Sequence, residues 1–480
     1  LRNLEDASPR FLGSKSFFIL TQPNNLIVYR GVDAKLCYGA FLMTVVMQKL
    51  SKTEFIDALK KGKGRALMHV REFGDDGIED EILHACLHSL AYDPPFEDYR
   101  GPWMFDLISH TRNPDLYHHS ILSSFIASSK EWDVSQMSAM LALLAKRGYP
   151  GAREILYRKF DLQEFSESTV IGKDLIALDG IQAMLHIADV IGRRIQSDAE
   201  YWEYNTLIEQ VSESLGKEKT EQALQEAARH SQSIRAYVDR VIASSGCLVS
   251  SDGERNSSPV PKRAVPLREF LSEIEKAPRG RGYCFSFGKS ATPQDIQELY
   301  AMLAVEQDRG KLLRYLWIFC RAKLPEVSEF MLELAGSADV ELRGAALTAL
   351  ANVKDRAVRD FALRLLNDGE LVAVELLRNN FAEGDFEYII ERLHANADPD
   401  EVHRCGMDVL SICGAHERAE AADCLIWVYE NTPCALCRND AVRKLIEIDR
   451  LPRVLAEECL SDCEEETRKD VAAYVPNALG

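Results

Sequence analysis

The sequence predicts an all-α protein, an α-solenoid of stacked helical hairpins with a small β-hairpin near its N-terminus. Three observations carry that expectation. From Asp33 onward, apolar residues recur with the 3.6-residue period of amphipathic helices, in runs of about 10–20 residues between short Gly, Pro, Asn or Asp breaks. In the second half, arginine returns at intervals near thirty residues, the length of two helices and two turns. Strand-prone composition is confined to the first forty residues.

Residues 1–32 read as an irregular cap. Ser16–Thr21 and Leu26–Arg30 are β-prone runs on either side of the turn-forming Gln22-Pro23-Asn24-Asn25, which suits a short hairpin. Residues 33–243 form a first helical half. It opens with the apolar run Leu36–Met47, too short for a bilayer and read as a buried helix. Ile82, Leu83, Cys86, Leu87 and Leu90 then make one apolar stripe, and Met137, Met140, Leu141 and Leu144 another. Residues 244–266 are rich in Ser, Gly and Pro, cannot bury enough apolar surface to order themselves, and are expected to be a linker or long loop. Residues 267–480 are the second half. Within it, Ala277–Ser290 reads as irregular, followed by a helix capped by Thr292-Pro293 with Asp295 behind.

Composition narrows the function classes. The 480 residues carry 57 Lys+Arg against 75 Asp+Glu, a formal charge of −18, which removes any long-range attraction to nucleic acid or an anionic membrane. Hydrophobic residues at 46 % and charged residues at 28 % are globular values, so the chain has a core to bury. No run approaches the apolar length of a membrane span, and Leu1-Arg-Asn-Leu-Glu-Asp6 does not resemble a signal peptide. Twelve cysteines in such a chain are expected to be reduced thiols in a cytoplasmic protein.

The repeat signal is an acidic residue four positions before an arginine, followed by small or apolar residues: Asp339…Arg343, Asp400…Arg404 and Glu464…Arg468. Arg314 and Arg438 fall in related contexts, and the successive intervals from Arg314 to Arg468 are 29, 61, 34 and 30. The interval of 61 spans two units, with a degenerate one near Ala373-Val374. Ser337–Asp368 resembles a HEAT repeat of the short, roughly thirty-residue kind, and the resemblance extends over about residues 300–475. It implies that Asp339, Arg343, Asp400, Arg404 and Arg468 form a structural ladder along the inner helices. Such a hairpin cannot bury both faces alone, and stacked neighbours supply the missing surface.

Seven cysteines lie between Cys405 and Cys463, and Cys434-x2-Cys437 with Cys459-x3-Cys463 makes a paired-thiol set. Zinc takes four thiolates or imidazoles in a tetrahedron, and two short spacings deliver two ligands from each of two segments. The same cysteines also suit the packing of helix faces as small hydrophobes. Thr432-Pro433-Cys434 places the first pair at a helix N-terminus, where the dipole favours thiolate and redox chemistry, but the βαβ unit that usually carries such chemistry is missing from the pattern. Gly282–Ser290 resembles a P-loop, with five residues between the glycines where four are required. His84 and His88 share a helix face and His118-His119 reads as an exposed pair, while the five tryptophans sit among apolar neighbours as core residues do. The basic runs Lys60–Arg65 and Lys262–Arg281 read as solvated loop ends.

The function expected from these features is a non-catalytic scaffold, armadillo-like in architecture, presenting a concave surface to another protein, a basic one given the acidic balance. Nucleic acid and membrane are not expected partners. Two alternatives use the same fold: a nucleic-acid-processing enzyme of the HEAT-like DNA glycosylase type or a bilin lyase-like subunit, and a C-terminal zinc module held by Cys434, Cys437, Cys459 and Cys463. No cofactor is expected beyond that zinc ion.

Overall fold

The structure, a computed structural model, describes residues 20–22, 25–27, 48–97, 100–162, 169–198, 200–201, 203, 205–242, 265–276, 280–393 and 398–478. The chain forms two compact units, Leu1–Val46 and Met47–Gly480. In the first, β1 (Leu20–Gln22) and β2 (Asn25–Ile27) pair antiparallel, with Leu20 opposite Ile27 and Gln22 opposite Asn25. The pair falls where the two β-prone runs meet. The apolar run Leu36–Met47 and nearly all of the 244–266 segment lie outside the described residues.

The second unit is helical. Its first half contains α1 (Lys52–Lys61), α2 (Gly64–Phe73), α3 (Glu79–Leu87), α4 (Gly101–Ser109), α5 (Pro114–Phe125) and α6 (Glu131–Lys146). It continues through α7 (Ala152–Asp161), α8 (Thr169–Asp179), α9 (Ile181–Ser197), α10 (Thr206–Leu215), α11 (Lys217–His230) and α12 (Gln232–Tyr237). The second half contains α13 (Leu267–Lys276), α14 (Arg281–Ser290), α15 (Pro293–Val305), α16 (Arg309–Phe319), α17 (Glu329–Ala335) and α18 (Val340–Ala351). After α19 (Arg356–Asn367) and a 3-10 segment, Leu371–Leu377, come α20 (Asp385–Ile390), α21 (Pro399–Ala415), α22 (Ala422–Asn431), α23 (Ala435–Glu447), α24 (Arg453–Cys459) and α25 (Glu465–Ala478). Among the described residues no helix is long and apolar enough to cross a membrane.

Local chemistry sets these boundaries. Ser51 and Glu54 close a capping box on α1, and Thr292 and Asp295 close the expected one on α15. In α19, the Asp355 carboxylate accepts from the Ala357 amide, and Val358, Phe361, Ala362 and Leu366 form the buried stripe. The P-loop-like segment is a correction to the sequence reading, because Arg281–Ser290 is helix α14. Its Cys284 and Phe287 are buried, and Gly288 lies so close to α16 that a Cβ there would come within 2.3 Å of the Ile318 carbonyl oxygen. Glycine here serves a helix contact, not a phosphate.

Packing proceeds mainly between helices close in chain order. One row runs from α14 to α16, α18, the 371–377 segment, α21, α23 and α25; another runs from α2 to α4, α6, α8 and α9. Each half has its own apolar core, one spanning Leu267–Val471 and the other Phe55–Val241. Among the described residues, the main departure from chain-order packing is α2 against α24. Tyr92 of the first half packs on the second core, and Cys463 of the second half packs on the first.

This join corrects the reading of Lys60–Arg65 as a solvated loop end. Lys63 is 1 % exposed, and its ammonium donates to the Glu430 carboxylate at 2.7 Å and to the Glu430 carbonyl at 2.8 Å. Arg65 bridges Glu430 at 2.6 Å and Glu458 at 2.7 Å, and Glu458 also accepts from the Tyr429 hydroxyl. A Cβ on Gly64 would sit 1.9 Å from the Glu458 carbonyl oxygen, so only glycine lets α2 approach α24 this closely. The Trp103 indole donates to the Ser461 carbonyl at 2.9 Å, and the Cys463 amide donates to the Gly62 carbonyl at 2.9 Å. Burial pushes the Lys63 ammonium down to about 8, with Glu430 opposing the shift. Against the upward push of burial, Lys63 and Arg65 together hold the Glu430 carboxyl well below the carboxylate range.

Removing the shared carboxylate strands the buried Lys63 ammonium, while Arg65 keeps Glu458. Glu430→Ala is expected to cost about 3 kcal/mol, the low end for a broken buried pair because the carboxylate edge still meets solvent. Calorimetry should show the single melting profile of the native protein split as the halves uncouple. Because the folded carboxyl titrates below its free value of 4.5, its contribution is complete above that pH and fades as pH falls below it. The melting temperature of the native protein should therefore fall more steeply below pH 4.5 than that of Glu430→Gln; parallel curves would show that the knot contributes nothing.

Candidate functional site

Two features stand out against the helical background, and both are built by rows of neighbouring helices. The first lies beside the join. Cys434 is the N-cap of α23 and Cys437 the third residue of that helix, so one turn brings both thiols to the same end. α21, the preceding member of the same row, lies against α23 and carries His403. The His403 ring nitrogen and the Cys434 and Cys437 sulfurs all lie within 4.8 Å of one another. Cys434 and Cys437 are buried, and His403 is half-buried. Tyr92 covers the imidazole edge-on at 4.9 Å between ring centres, and its hydroxyl donates to the Asp400 carboxylate at 2.5 Å, one turn before His403.

The two thiols are chemically unequal. The neighbouring Cys437 thiol is the main influence that holds the Cys434 thiol well below the usual thiol range, the Cys437 backbone amide and His403 adding to it and burial and Glu97 opposing. Cys437, by the same pairing, is pushed up. A thiolate at a helix N-terminus, stabilised by a neighbouring thiol and with an imidazole in reach, binds soft metal ions or attacks a disulfide.

The other members of the expected four-thiol set go elsewhere. Cys459 is fully buried, where desolvation raises its thiol far above the usual range. Cys463 packs under Gly62, close to the Arg438 guanidinium. Neither belongs to the group around His403, and no site gathers all four thiols among the described residues. Helix geometry explains this: the Cys459 and Cys463 spacing straddles the end of α24, so the two side chains diverge. His403 was missed because it stands a full unit upstream. The signal that would have found it is the repeat itself, since positions about thirty residues apart in stacked hairpins lie side by side, and 403 and 434 are 31 apart.

The second feature is a recess of about 410 Å³ lined by Arg281 and Phe285 of α14, Cys320 and Arg321 after α16, Thr348 and Asn352 at the end of α18, and Arg378 with Asn379. The guanidinium groups of Arg281 and Arg321 lie over the Phe285 ring at 4.9 and 5.2 Å. Arg378 donates to the Asn352 side-chain Oδ1 at 2.9 Å, and the Asn352 side-chain amide in turn donates to the Cys320 and Thr348 backbone carbonyls. Behind this wall, burial pushes the Glu375 carboxyl up, and that of Asp408 far up, despite nearby arginines. An acidic protein thus presents three arginines to one concavity.

The remaining sequence candidates have local roles. The His88 ring Nδ1 donates to the Asp133 carboxylate at 2.9 Å, and the His84 ring lies tilted beside it at 4.6 Å between ring centres. His118, expected to be exposed, is buried against Phe105 and Tyr149. Trp103 and Trp427 are core residues, whereas Trp132 is 39 % exposed. Of the ladder residues, Asp339 caps α18 and pairs with Arg309, and Arg343 approaches Glu370 at 3.6 Å. Asp400 serves Tyr92, Arg404 is exposed, and Arg468 donates to the carbonyls of Asp462 and Cys463. Arg343, Arg438 and Arg468 each stand fourth in their helices, but only Arg438 is fully buried, against Asp462.

No family model matches the chain, and no curated protein does. Among solved structures, an engineered protein from the Northeast Structural Genomics Consortium is similar at 14 % identity over 75 % of this chain and 98 % of its own, with a TM-score of 0.20, too low to carry an argument.

The inequality of the thiols is directly measurable. Thiolate absorbance near 240 nm should titrate with one component whose midpoint lies below that of a free cysteine, about 8.5. Cys434→Ser should abolish that component and Cys437→Ser should move it upward. A low component that survives Cys434→Ser would assign the thiolate elsewhere.

Proposed function

We propose that this protein is a non-catalytic interaction scaffold of HEAT-like helical hairpins, and that its concave recess holds an acidic segment of another protein. The arginine recess carries the reading. Arg281 on α14, Arg321 just after α16 and Arg378 just after the 371–377 segment belong to three members of one helical row, so their spacing is set by the stack and offers an extended chain several cationic contacts. Phe285, whose ring both guanidinium groups overlie, adds an apolar element to the lining.

Unit-to-unit contacts support the repeat. Arg309 reaches Asp339 across 30 residues, Arg359 reaches Asp385 across 26, Tyr300 reaches Ser328 across 28 and Asn439 reaches Thr467 across 28. Separations that cluster near one hairpin length are what stacked, equivalent units produce. The overall acidity led to the expectation of a basic partner; the recess reverses that sign locally. Net charge governs approach at distance, whereas a cleft lined by one sign decides what is held. The charge of −18 also opposes a nucleic acid, whose phosphates would meet the repulsion of the whole molecule before reaching three arginines.

Fluorescence anisotropy with three labelled probes tests this: a Glu/Asp-rich peptide, a Lys-rich peptide of equal length and a single-stranded oligonucleotide. The acidic peptide alone should bind, more weakly as salt rises, and the Arg281→Ala/Arg321→Ala double variant should weaken it about tenfold, equivalent to about 1.4 kcal/mol. Both side chains are exposed, so the variant should retain the native melting temperature. Preference for the oligonucleotide or the basic peptide would overturn the proposal.

A further inference from the structure

We propose that His403, Cys434 and Cys437 form a zinc site with two thiolates, one imidazole and an open fourth position. The inference is independent of the recess. It begins with geometry: in a tetrahedron with Zn–S of about 2.3 Å and Zn–N of about 2.0 Å, two sulfurs stand roughly 3.8 Å apart and a sulfur and nitrogen roughly 3.5 Å apart. The three donor atoms here already lie within 4.8 Å of one another, an upper bound about 1 Å beyond those spacings.

The donor set is the right chemistry for a borderline-soft ion. Two thiolates and an imidazole favour zinc over magnesium or calcium, which take oxygen ligands. The chain supplies them as zinc sites commonly do, two from one short C-x2-C spacing and one from another element. Their surroundings hold them in place. Cys434 is fixed as the N-cap of α23, where its amide donates to the Thr432 hydroxyl at 3.4 Å. His403 is fixed by the Tyr92 ring, and Tyr92 by Asp400. Orientation of a ligating imidazole by a contact outside the coordination sphere is a recurrent property of such sites.

The placement gives the ion a structural task. His403 and the two cysteines belong to the second half, while Tyr92 crosses from the first half to lie on the imidazole. An ion there ties α21 to α23 directly beneath that contact. It complements the Lys63–Glu430 knot, which fastens the join on a neighbouring face through α22.

Cobalt(II) is the probe, because its thiolate complexes absorb strongly in the near ultraviolet. Titration of the reduced full-length protein should give cobalt–thiolate bands that saturate at one equivalent and are displaced by zinc. Cys434→Ser and Cys437→Ser should abolish the bands, His403→Ala should weaken cobalt binding at least tenfold, and Cys459→Ser should leave the titration unchanged. Zinc should raise the melting temperature of the native protein but not that of Cys437→Ser, a readout that needs no assigned activity. Three results would overturn the site: no band in protein whose thiols are shown to be free, a titration indifferent to His403→Ala, or a titration dependent on Cys459. Ready formation of a Cys434–Cys437 disulfide with no cobalt band would replace the metal by a redox dithiol.

Discussion

A lysine ammonium buried between two helical cores, answered by one carboxylate and one carbonyl of the same residue, is the contact on which the remainder of this molecule depends. Lys63 and Glu430 are separated by 367 residues, yet the pair fixes how the first half meets the second. Taking both ions out of water is costly, and their attraction offsets that cost only because Arg65, Glu458 and the Tyr429 hydroxyl satisfy the remaining bonding capacity. Gly64 completes the arrangement from the steric side. Without a side chain there, the α2 backbone comes close enough for its neighbours' charges to meet.

That contact also decides what can surround the thiol–imidazole group. The segment after α3 carries Tyr92 onto His403 only because the halves are held in register, and the Glu97–Arg100 pair, at 2.8 Å and almost fully buried, closes the same region. The recess, by contrast, lies within the second half, on α14, α16, α18 and the 371–377 segment. One feature belongs to the join and the other to the row, so they respond to different changes in the chain.

How much of this was legible in the sequence follows from the range of each interaction. Helices such as α15 and α19 were readable because caps and apolar stripes are local. The hairpin at Leu20–Ile27 was readable for the same reason, since its turn residues are contiguous. Helix α14 was not, because Gly, Ser and aromatic residues are weak helix formers, and what makes Arg281–Ser290 helical is its burial against α16. Lys63 read as a surface residue because nothing near it in sequence announces Glu430. Arginine recurrence located the helices of the second half correctly but overstated their equivalence, since Arg438 is buried and Arg404 exposed. Cys434 and Cys437 were visible as a pair, while their third companion depended on which helix faces stack.

The join has a consequence for the order of synthesis. Helices α1 and α2 leave the ribosome well before the surface that receives Lys63 and Trp103, which is made of α22, α24 and Ser461: Glu430 follows Lys63 by 367 residues and Ser461 follows Trp103 by 358. Until then the start of α2 carries an unanswered cation and α4 an indole with no acceptor. This edge of the first half thus stays open long after its own helices are made, and a nascent chain halted short of Glu458 would display it to whatever attends folding in the cell.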